Sequence, residues 1–195
     1  MTLTLMKMCE ILINPLCISN KHVLEFGVWK GDSLMGIRTI LDHDFKIYGF
    51  DSFLGLPEDW PETGYKKGDF SLNGFVPDNL AKSDMKIFAG WFKDTIPEYL
   101  KEADDIALMH IDCDIYSSTI DILYSGIRKH IKQGTYIVFD DWHYLPIDRG
   151  ESKDEGLHNQ KAFKEWAKCY KVKYRLLNSI EPFRQAIEIT KISAS

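Results

Sequence analysis

The chain has few cysteines, and the four it has (Cys9, Cys17, Cys113 and Cys169) form no Cys-x-x-Cys pair and no metal-ligand spacing. That disfavours a disulfide scaffold or a structural zinc site and reads as reduced thiols of a cytoplasmic protein. No apolar stretch is long enough to cross a bilayer, so no membrane partner is expected. The mildly apolar start, 1–12, lacks the basic lead and small-residue cleavage site of a signal peptide, and reads as a short lead-in helix. Positive charge is in deficit, with 24 Lys and Arg against 29 Asp and Glu and a formal charge of -5. This argues against a nucleic-acid scaffold. There is no internal repeat and no low-complexity segment. At 195 residues the expectation is one domain with a substantial core.

The most informative segment runs from Val23 to Ser33. A short apolar run ends in Glu25 and is followed by Gly27 and Gly31, after which a polar pair opens a helical pattern. Without a Cβ, the two glycines permit a tight turn and close approach of backbone to ligand. The dinucleotide fingerprint G-x-G-x-x-G is absent, because Glu25 stands where its first glycine would be. An acid at that spot disfavours phosphate and favours a cation or a hydroxyl donor. S-adenosylmethionine meets that demand, since it carries a sulfonium, an ammonium and ribose hydroxyls but no phosphate.

Hydrophobic patterning predicts strands over 23–28, 46–50, 85–89, 106–111 and 135–139, and a closing strand pair over 172–177 and 185–190. Helices are expected between them. One is capped by Asp32 or Ser33 and carries Leu34, Ile37 and Leu41, and a second covers 94–101. A third is capped by Ser117 or Ser118, has an apolar face of Ile120, Leu123, Ile127 and Ile131, and stops at Gly134. A fourth is capped by Asn159 and carries Phe163, Trp166 and Tyr170. Alternation of this kind implies an open α/β sheet covered on both faces, with ligands at the carboxyl ends of the strands. Glu25, Asp51, Asp112, Asp140 and Asp141 all fall at such ends. Asp51 is placed for ribose hydroxyls, with Ser52 able to add a hydrogen bond. Gly90, Trp91 and Phe92 follow the third strand at the adenine edge, where Trp91 is either a purine contact or core. Asp114 is a ligand, a substrate contact or a helix cap. His110 reads as a core histidine, and His143 and His158 as loop residues at the site edge with substrate contact as the alternative. The segment 55–84, with Trp60, Tyr65 and Phe70, is either a substrate lid or a local packing cluster. The charged stretch 150–156 reads as a solvated loop.

Five segments carry a family resemblance. They are Glu25-Phe26-Gly27-Val28-Trp29-Lys30-Gly31, Tyr48-Gly49-Phe50-Asp51-Ser52-Phe53-Leu54-Gly55-Leu56-Pro57, Gly90-Trp91-Phe92-Lys93-Asp94-Thr95, His110-Ile111-Asp112-Cys113-Asp114-Ile115-Tyr116 and Val138-Phe139-Asp140-Asp141. In this order they resemble the class I S-adenosylmethionine-dependent methyltransferases, and within them the macrocin O-methyltransferase (TylF-like) family. The resemblance implies a Rossmann-like, seven-stranded, mostly parallel sheet with the last strand antiparallel, in a single domain spanning 1–195. It implies S-adenosylmethionine bound by Glu25, Phe26, Gly27, Gly31, Ser33, Asp51, Ser52, Gly90, Trp91 and Asp112. It further implies a divalent ion, magnesium, held by Asp112, Asp140 and Asp141, with Asp112 also the general base. The acceptor implied is a hydroxyl of a sugar or sugar-containing small molecule, and the assembly implied is a homodimer. About two dozen residues precede the first strand, where the resemblance implies further helical segments.

Three rival readings remain at this level. A nicotinamide-dependent dehydrogenase needs the phosphate-binding turn that Glu25 disrupts. A metal-dependent glycosyltransferase would use Asp112-Cys113-Asp114 as its Asp-x-Asp motif, which leaves the Glu25 turn, Asp140 and Asp141 unexplained. A non-catalytic S-adenosylmethionine-binding module would retain costly acids without a use for them.

Overall fold

The computed structural model describes residues 1–12, 22–61, 63–143, 158–178 and 181–192. Cys17 and the charged stretch 150–156 lie outside them. The chain runs α1 (Leu3–Leu12), β1 (His22–Phe26), α2 (Asp32–Ile40), β2 (Lys46–Asp51), α3 (Asp78–Ala81), β3 (Lys86–Ala89), α4 (Phe92–Tyr99), β4 (Ile106–Ile111) and α5 (Tyr116–Leu123). A 3-10 turn (Ile127–His130), β5 (Ile131–Phe139), α6 (His158–Cys169), β6 (Lys173–Leu176) and β7 (Gln185–Lys191) complete it. One seven-stranded sheet has the order β3-β2-β1-β4-β5-β7-β6. Strands β3 to β5 pair in parallel, and β7 lies antiparallel to both its neighbours. The winding runs outward from β1 through β2 to β3, then restarts on the other side at β4. The crevice between β1 and β4 is therefore the switch point where such sheets bind ligands.

The two central strands are buried on both faces, which is why their sequences, HVLEF and IALMHI, are near-continuous apolar runs. Leu24, Phe26, Met109, Ile111 and Phe139 face the layer of α4, α5 and α6, against Ile96, Tyr99, Ile122, Phe163 and Trp166. Val23, Leu108 and Val138 face the layer of α1 and α2, against Leu5, Met8, Leu34 and Ile37. Each such side chain contributes roughly 1.5–3 kcal/mol relative to exposure. By the two-residue alternation of strands, Glu25 and His110 share the α1–α2 face.

Several expected boundaries differ. Helix α5 ends at Leu123, and Gly126 then turns left-handed (φ 95°), so Ile127 belongs to the 3-10 turn and Ile131 to β5. Their spacing looks helical because Leu123, Ile127 and Ile131 enter one core from successive elements, whereas Ile120 is half-buried outside it. Gly134 stops no helix. It sits at φ 88° in an irregularity of β5, where the register moves from Ile106↔Ile131 to Leu108↔Tyr136 and Thr135 Oγ1 donates to the Ile106 carbonyl at 2.7 Å. Gly31, not Asp32 or Ser33, is the cap residue of α2. Ser117 and Ser118 lie inside α5. Asn159 lies inside α6, buried, accepting a hydrogen bond from Thr119 Oγ1. Polar residues near a helix start mark the neighbourhood of a cap; tertiary partners decide which residue serves.

His22 is buried at the far end of β1 from the site, its Nδ1 3.0 Å from the Tyr99 hydroxyl and accepting the Asp104 N–H at 3.3 Å. Burial, then the Lys46 charge, lowers its pKa, so the folded chain keeps the ring neutral. The unfolded chain takes up a proton as pH falls through about 6.5, and acid therefore draws this contribution toward unfolding. Urea unfolding of wild type and His22→Asn is expected to differ by about 1–2 kcal/mol at pH 7.5 and by less at pH 5.5. An equal or larger difference at pH 5.5 would show that the ring is not held neutral.

Candidate functional site

Parallel register builds the site. Phe88, Phe50, Phe26, Ile111 and Phe139 lie side by side across β3, β2, β1, β4 and β5. The next position on each strand is Ala89, Asp51, Gly27, Asp112 and Asp140, one row along the carboxyl edge. The pairing continues into that row, with Gly27 N donating to the Phe50 carbonyl at 2.9 Å, Asp112 N to Phe26 at 2.9 Å and Asp140 N to Ile111 at 3.0 Å. A cavity of about 620 Å³ opens over this edge, lined by the Gly27–Ser33 turn, Asp51, Ser52, Gly90, Trp91, Asp112 and Asp114 among others.

The turn after β1 needs both its glycines. A Cβ on Gly27 (φ 88°) would lie 1.8 Å from the Asp112 carbonyl oxygen, and one on Gly31 (φ 88°) 2.6 Å from Leu80. Asp51 ties the turn to β2: its Oδ2 accepts from Val28 N at 2.9 Å and Trp29 N at 2.7 Å, and its Oδ1 from Phe53 N at 2.7 Å. A carboxylate has about four acceptor positions, so capacity for a ribose hydroxyl remains. Ser52 Oγ accepts the Leu54 N–H. Gly90, at φ 148°, donates to the Asp51 carbonyl at 2.8 Å and lines the cavity with Trp91, which is half-buried rather than core.

Two expected cofactor contacts are placed otherwise. Glu25 and Phe26 are fully buried and do not line the cavity. Phe26 stacks on Phe50 at 4.7 Å, pointing into the opposite layer. Glu25 lies beneath the turn and accepts a hydrogen bond from Ser33 Oγ; Ser33 itself reaches the cavity. The missed partner of Glu25 is His110, whose Nδ1 is 3.3 Å from Glu25 Oε1 and whose Nε2 is 3.5 Å from Asp140 Oδ1. These are ion-pair separations, longer than close hydrogen bonds. Arg184 grips Asp140 from the other side, Nε to Oδ1 at 2.7 Å and Nη2 to Oδ2 at 3.0 Å, and also pairs with Glu181 at 3.2 Å. Register pairing of Glu25 with His110 is invisible in the linear sequence, and nothing near Arg184 marks it as a site residue.

Four aspartates converge here. Oxygens of Asp112, Asp114 and Asp141 lie within 4.8 Å of one another, and a second group of the same tightness joins Asp112 and Asp140 to His110. The expected trio of Asp112, Asp140 and Asp141 is divided between these groups: Asp112 belongs to both, Asp140 falls with His110, and Asp141 with Asp114. Burial, then the Asp140 charge, pushes Asp112 well above the usual carboxylate range despite His110. Burial with the charges of Asp141 and Asp112 raises Asp114 to about 9, and burial with the Asp140 charge raises Asp141 to about 6. Burial works against Asp140 too, but His110 and Arg184 outweigh it and hold its pKa down. Burial opposes a charge on His110, yet Asp140 and Glu25 raise it to about 10. Carboxylates crowded enough to retain protons fit a divalent cation, and an all-oxygen donor set fits magnesium. His110 has both ring nitrogens turned to carboxylates and is not a free ligand.

Segment 55–84 forms one wall. Leu56 and Trp60 pack on Ile115, Ser117 Oγ donates to Glu58 at 2.6 Å, and Leu56, Pro57, Glu58, Lys67 and Phe70 line the cavity. Trp60 and Tyr65 form the packing cluster, their rings 5.8 Å apart. Neither His143 nor His158 lines the cavity: His143 N donates to the Phe183 carbonyl at 3.0 Å, and the His158 ring meets Trp60 edge-on at 6.1 Å. Cys9 and Cys113 are buried free thiols and Cys169 an exposed one. Among the described residues no helix is long and apolar enough to cross a membrane.

A family model described as Macrocin-O-methyltransferase (TylF) matches residues 18–154. Demethyldecarbamoylnovobiocin O-methyltransferase of Streptomyces niveus is 30% identical over 145 residues, 64% of this chain and 53% of that protein. The 8-demethyl-8-(2,3-dimethoxy-alpha-L-rhamnosyl)-tetracenomycin-C 4'-O-methyltransferase of Streptomyces olivaceus is 27% identical over 139 residues, 62% of this chain and 52% of that protein. The chain spans about half the length of the curated relatives it matches. The apo structure of CalS11, a TDP-rhamnose 3'-O-methyltransferase, superposes with a TM-score of 0.59 at 18% identity, covering 94% of this chain and 75% of that one. MycE of the mycinamycin pathway, solved with Mg and SAH, superposes at 0.56 and 11% identity, covering 89% and 46%. At these identities the solved structures establish the shared seven-stranded fold.

Two outcomes follow from the geometry. Gly27→Ala is expected to cost at least ~2 kcal/mol, from a clash with backbone and a positive φ, and to weaken cofactor binding; near-wild-type stability would mean that the turn can move. Without metal, the folded chain holds protons on Asp114, Asp141 and His110 that the unfolded chain releases, so its stability falls as pH rises from about 4 towards 9. Added Mg²⁺ should raise the melting temperature more at pH 8.5 than at pH 6. A rise independent of pH would show that the ion binds elsewhere.

Proposed function

The chain belongs to the macrocin O-methyltransferase (TylF) family, and from that premise we propose that it transfers a methyl group from S-adenosylmethionine to a hydroxyl of a sugar-containing small molecule, with magnesium at the acids. The observation that carries the reading is the row Asp51–Gly27–Asp112–Asp140, which sets a cofactor turn beside a cation-seeking cluster in one cavity. The relatives' names support the acceptor class, since they include a rhamnosyl tetracenomycin and TDP-rhamnose. The magnesium in the MycE complex supports the metal.

Methyl transfer from sulfonium to oxygen is an in-line displacement, so the protein must align two reactants and remove one proton. Gly27 and Gly31 let the backbone approach the cofactor, and Asp51 holds that turn while offering acceptor capacity to the ribose. Gly90 and Trp91 border the adenine end. Asp112, Asp114 and Asp141, with Asp140, would hold the metal, which when bound lowers the cost of ionising an alcohol. Of these four aspartates, Asp112 and Asp114 line the cavity, and the hydroxyl proton passes to this pair, Asp112 being the base that the family resemblance favours. Arg184 and His110 fix Asp140 from two sides.

Calorimetric titration with S-adenosylhomocysteine tests the cofactor, with micromolar binding expected. Asp112→Asn is expected to retain that binding while losing at least ~100-fold in turnover, and EDTA to abolish turnover in wild type. Full activity of Asp112→Asn would remove the proposed role, and indifference to EDTA would remove the metal.

A further inference from the structure

Arg184 is an awkward neighbour for a carboxylate that is to share a divalent ion. Its Nε and Nη2 donate to the two oxygens of Asp140 at 2.7 and 3.0 Å, and a positive charge held there repels a metal. The remaining nitrogen, Nη1, donates to Glu181 at 3.2 Å. The three side chains are 23% exposed for Arg184, 19% for Glu181 and 15% for Asp140, so salt screens their interaction little. Glu181 therefore returns negative charge to a guanidinium that would otherwise cancel Asp140.

Glu181 is itself seated from outside the site. It opens a turn closed by Arg184 N on the Glu181 carbonyl at 3.3 Å, and the Phe183 carbonyl of that turn accepts from Trp142 N and His143 N at 2.9 and 3.0 Å, just past Asp140 and Asp141. Glu181 Oε2 accepts the Thr4 N–H of α1 at 2.9 Å, across a sequence separation of 177. That helix has no acid of its own in its first turn, and a carboxylate is what the amides there favour. Thr2 Oγ1 accepts another of them, from Leu5, at 3.2 Å. Leu5, Met8 and Cys9 bury the helix in one core with Val23, Leu108 and Val138. None of Thr4, Glu181 and Arg184 lines the cavity, so their influence on it passes through Asp140.

We propose that Glu181 is a positioning residue for metal binding: seated on the N-terminus of α1, it holds Arg184 and offsets its charge, so that Arg184 aims Asp140 without neutralising it. The proposal rests on the reading of magnesium at the acids and gives α1, a helix with no residue in the cavity, a part in supporting them. A cap that served α1 alone would need no arginine beside it. An arginine that served Asp140 alone would need no glutamate.

The test is calorimetric titration of Mg²⁺ into the full chain, at one pH and below the melting temperature of each variant. Glu181→Gln keeps an acceptor for the Thr4 N–H and removes the charge. It is expected to weaken Mg²⁺ about tenfold, as changes behind a metal's ligands do, and to leave the affinity for S-adenosylhomocysteine unchanged. With Arg184→Gln already present, Glu181→Gln should alter Mg²⁺ affinity no further, because the glutamate acts through the arginine. A capping role alone gives a different pattern, in which Glu181→Gln lowers the melting temperature and Mg²⁺ affinity stays at the wild-type value. That result would overturn the proposal. So would equal losses of Mg²⁺ affinity with and without Arg184, or a matching loss for S-adenosylhomocysteine. Wild type that binds S-adenosylhomocysteine but no Mg²⁺ rejects the metal reading and this inference with it; Mg²⁺ binding unmoved by Glu181→Gln rejects the inference alone.

Discussion

The closest approach in the molecule that matters for its site is between two strand ends. The backbone of Gly27 lies so near the Asp112 carbonyl that no side chain fits between them. That contact lets β1 and β4 stay in register through their last residues, with Asp112 N bonded to the Phe26 carbonyl. Separate these strands by one side chain and Asp112 leaves the row that it shares with Asp51 and Asp140. The cofactor turn and the acidic cluster would then no longer open into one cavity. A packing constraint of a single missing methyl group thus stands upstream of the electrostatics.

Those electrostatics are unusual for a protein interior. Glu25 is fully buried and four aspartates crowd one strand edge, an arrangement whose desolvation cost is large unless cations answer it. Among the described residues, two do. His110 stands between Glu25 and Asp140, and Arg184 clamps Asp140 with a two-pronged grip. They neutralise the side of the cluster that faces the protein. Asp112, Asp114 and Asp141 form no ion pair among the described residues, and burial with their neighbours' negative charge pushes their pKa values up. The protein therefore divides its acids into a set balanced by its own cations and a set that meets no such cation among the described residues.

The wall formed by segment 55–84 has two parts. Its base, Leu56 and Trp60, is packed against Ile115 and pinned through Glu58 to Ser117. Its rim, with Phe70 facing Trp29 across the mouth, is held in strained backbone conformations and exposed. Its aromatics form the packing cluster, with buried Trp60 against Tyr65 and Tyr65 in turn 4.9 Å from Phe70.

Apolar runs at 106–111 and 46–50, each closing on an acid, gave away β4 and β2, since a strand buried on both faces has little choice of composition. The glycines at 27 and 31 and the acids at 51, 112, 140 and 141 were legible for a related reason, as chemistry at a strand's carboxyl end is local in sequence. Helix ends were less so. The isoleucines at 127 and 131 continued a helical spacing across a glycine turn into a strand, and Asn159 turned from cap to buried partner of Thr119. What the sequence by itself determined is the set of elements and the acids at their ends. What only the tertiary structure decided is which of those groups meet. Glu25 went beneath the turn, His110 came between two carboxylates, and Arg184 crossed from the approach to β7 to hold Asp140, because strand register and face, not distance along the chain, set those neighbours.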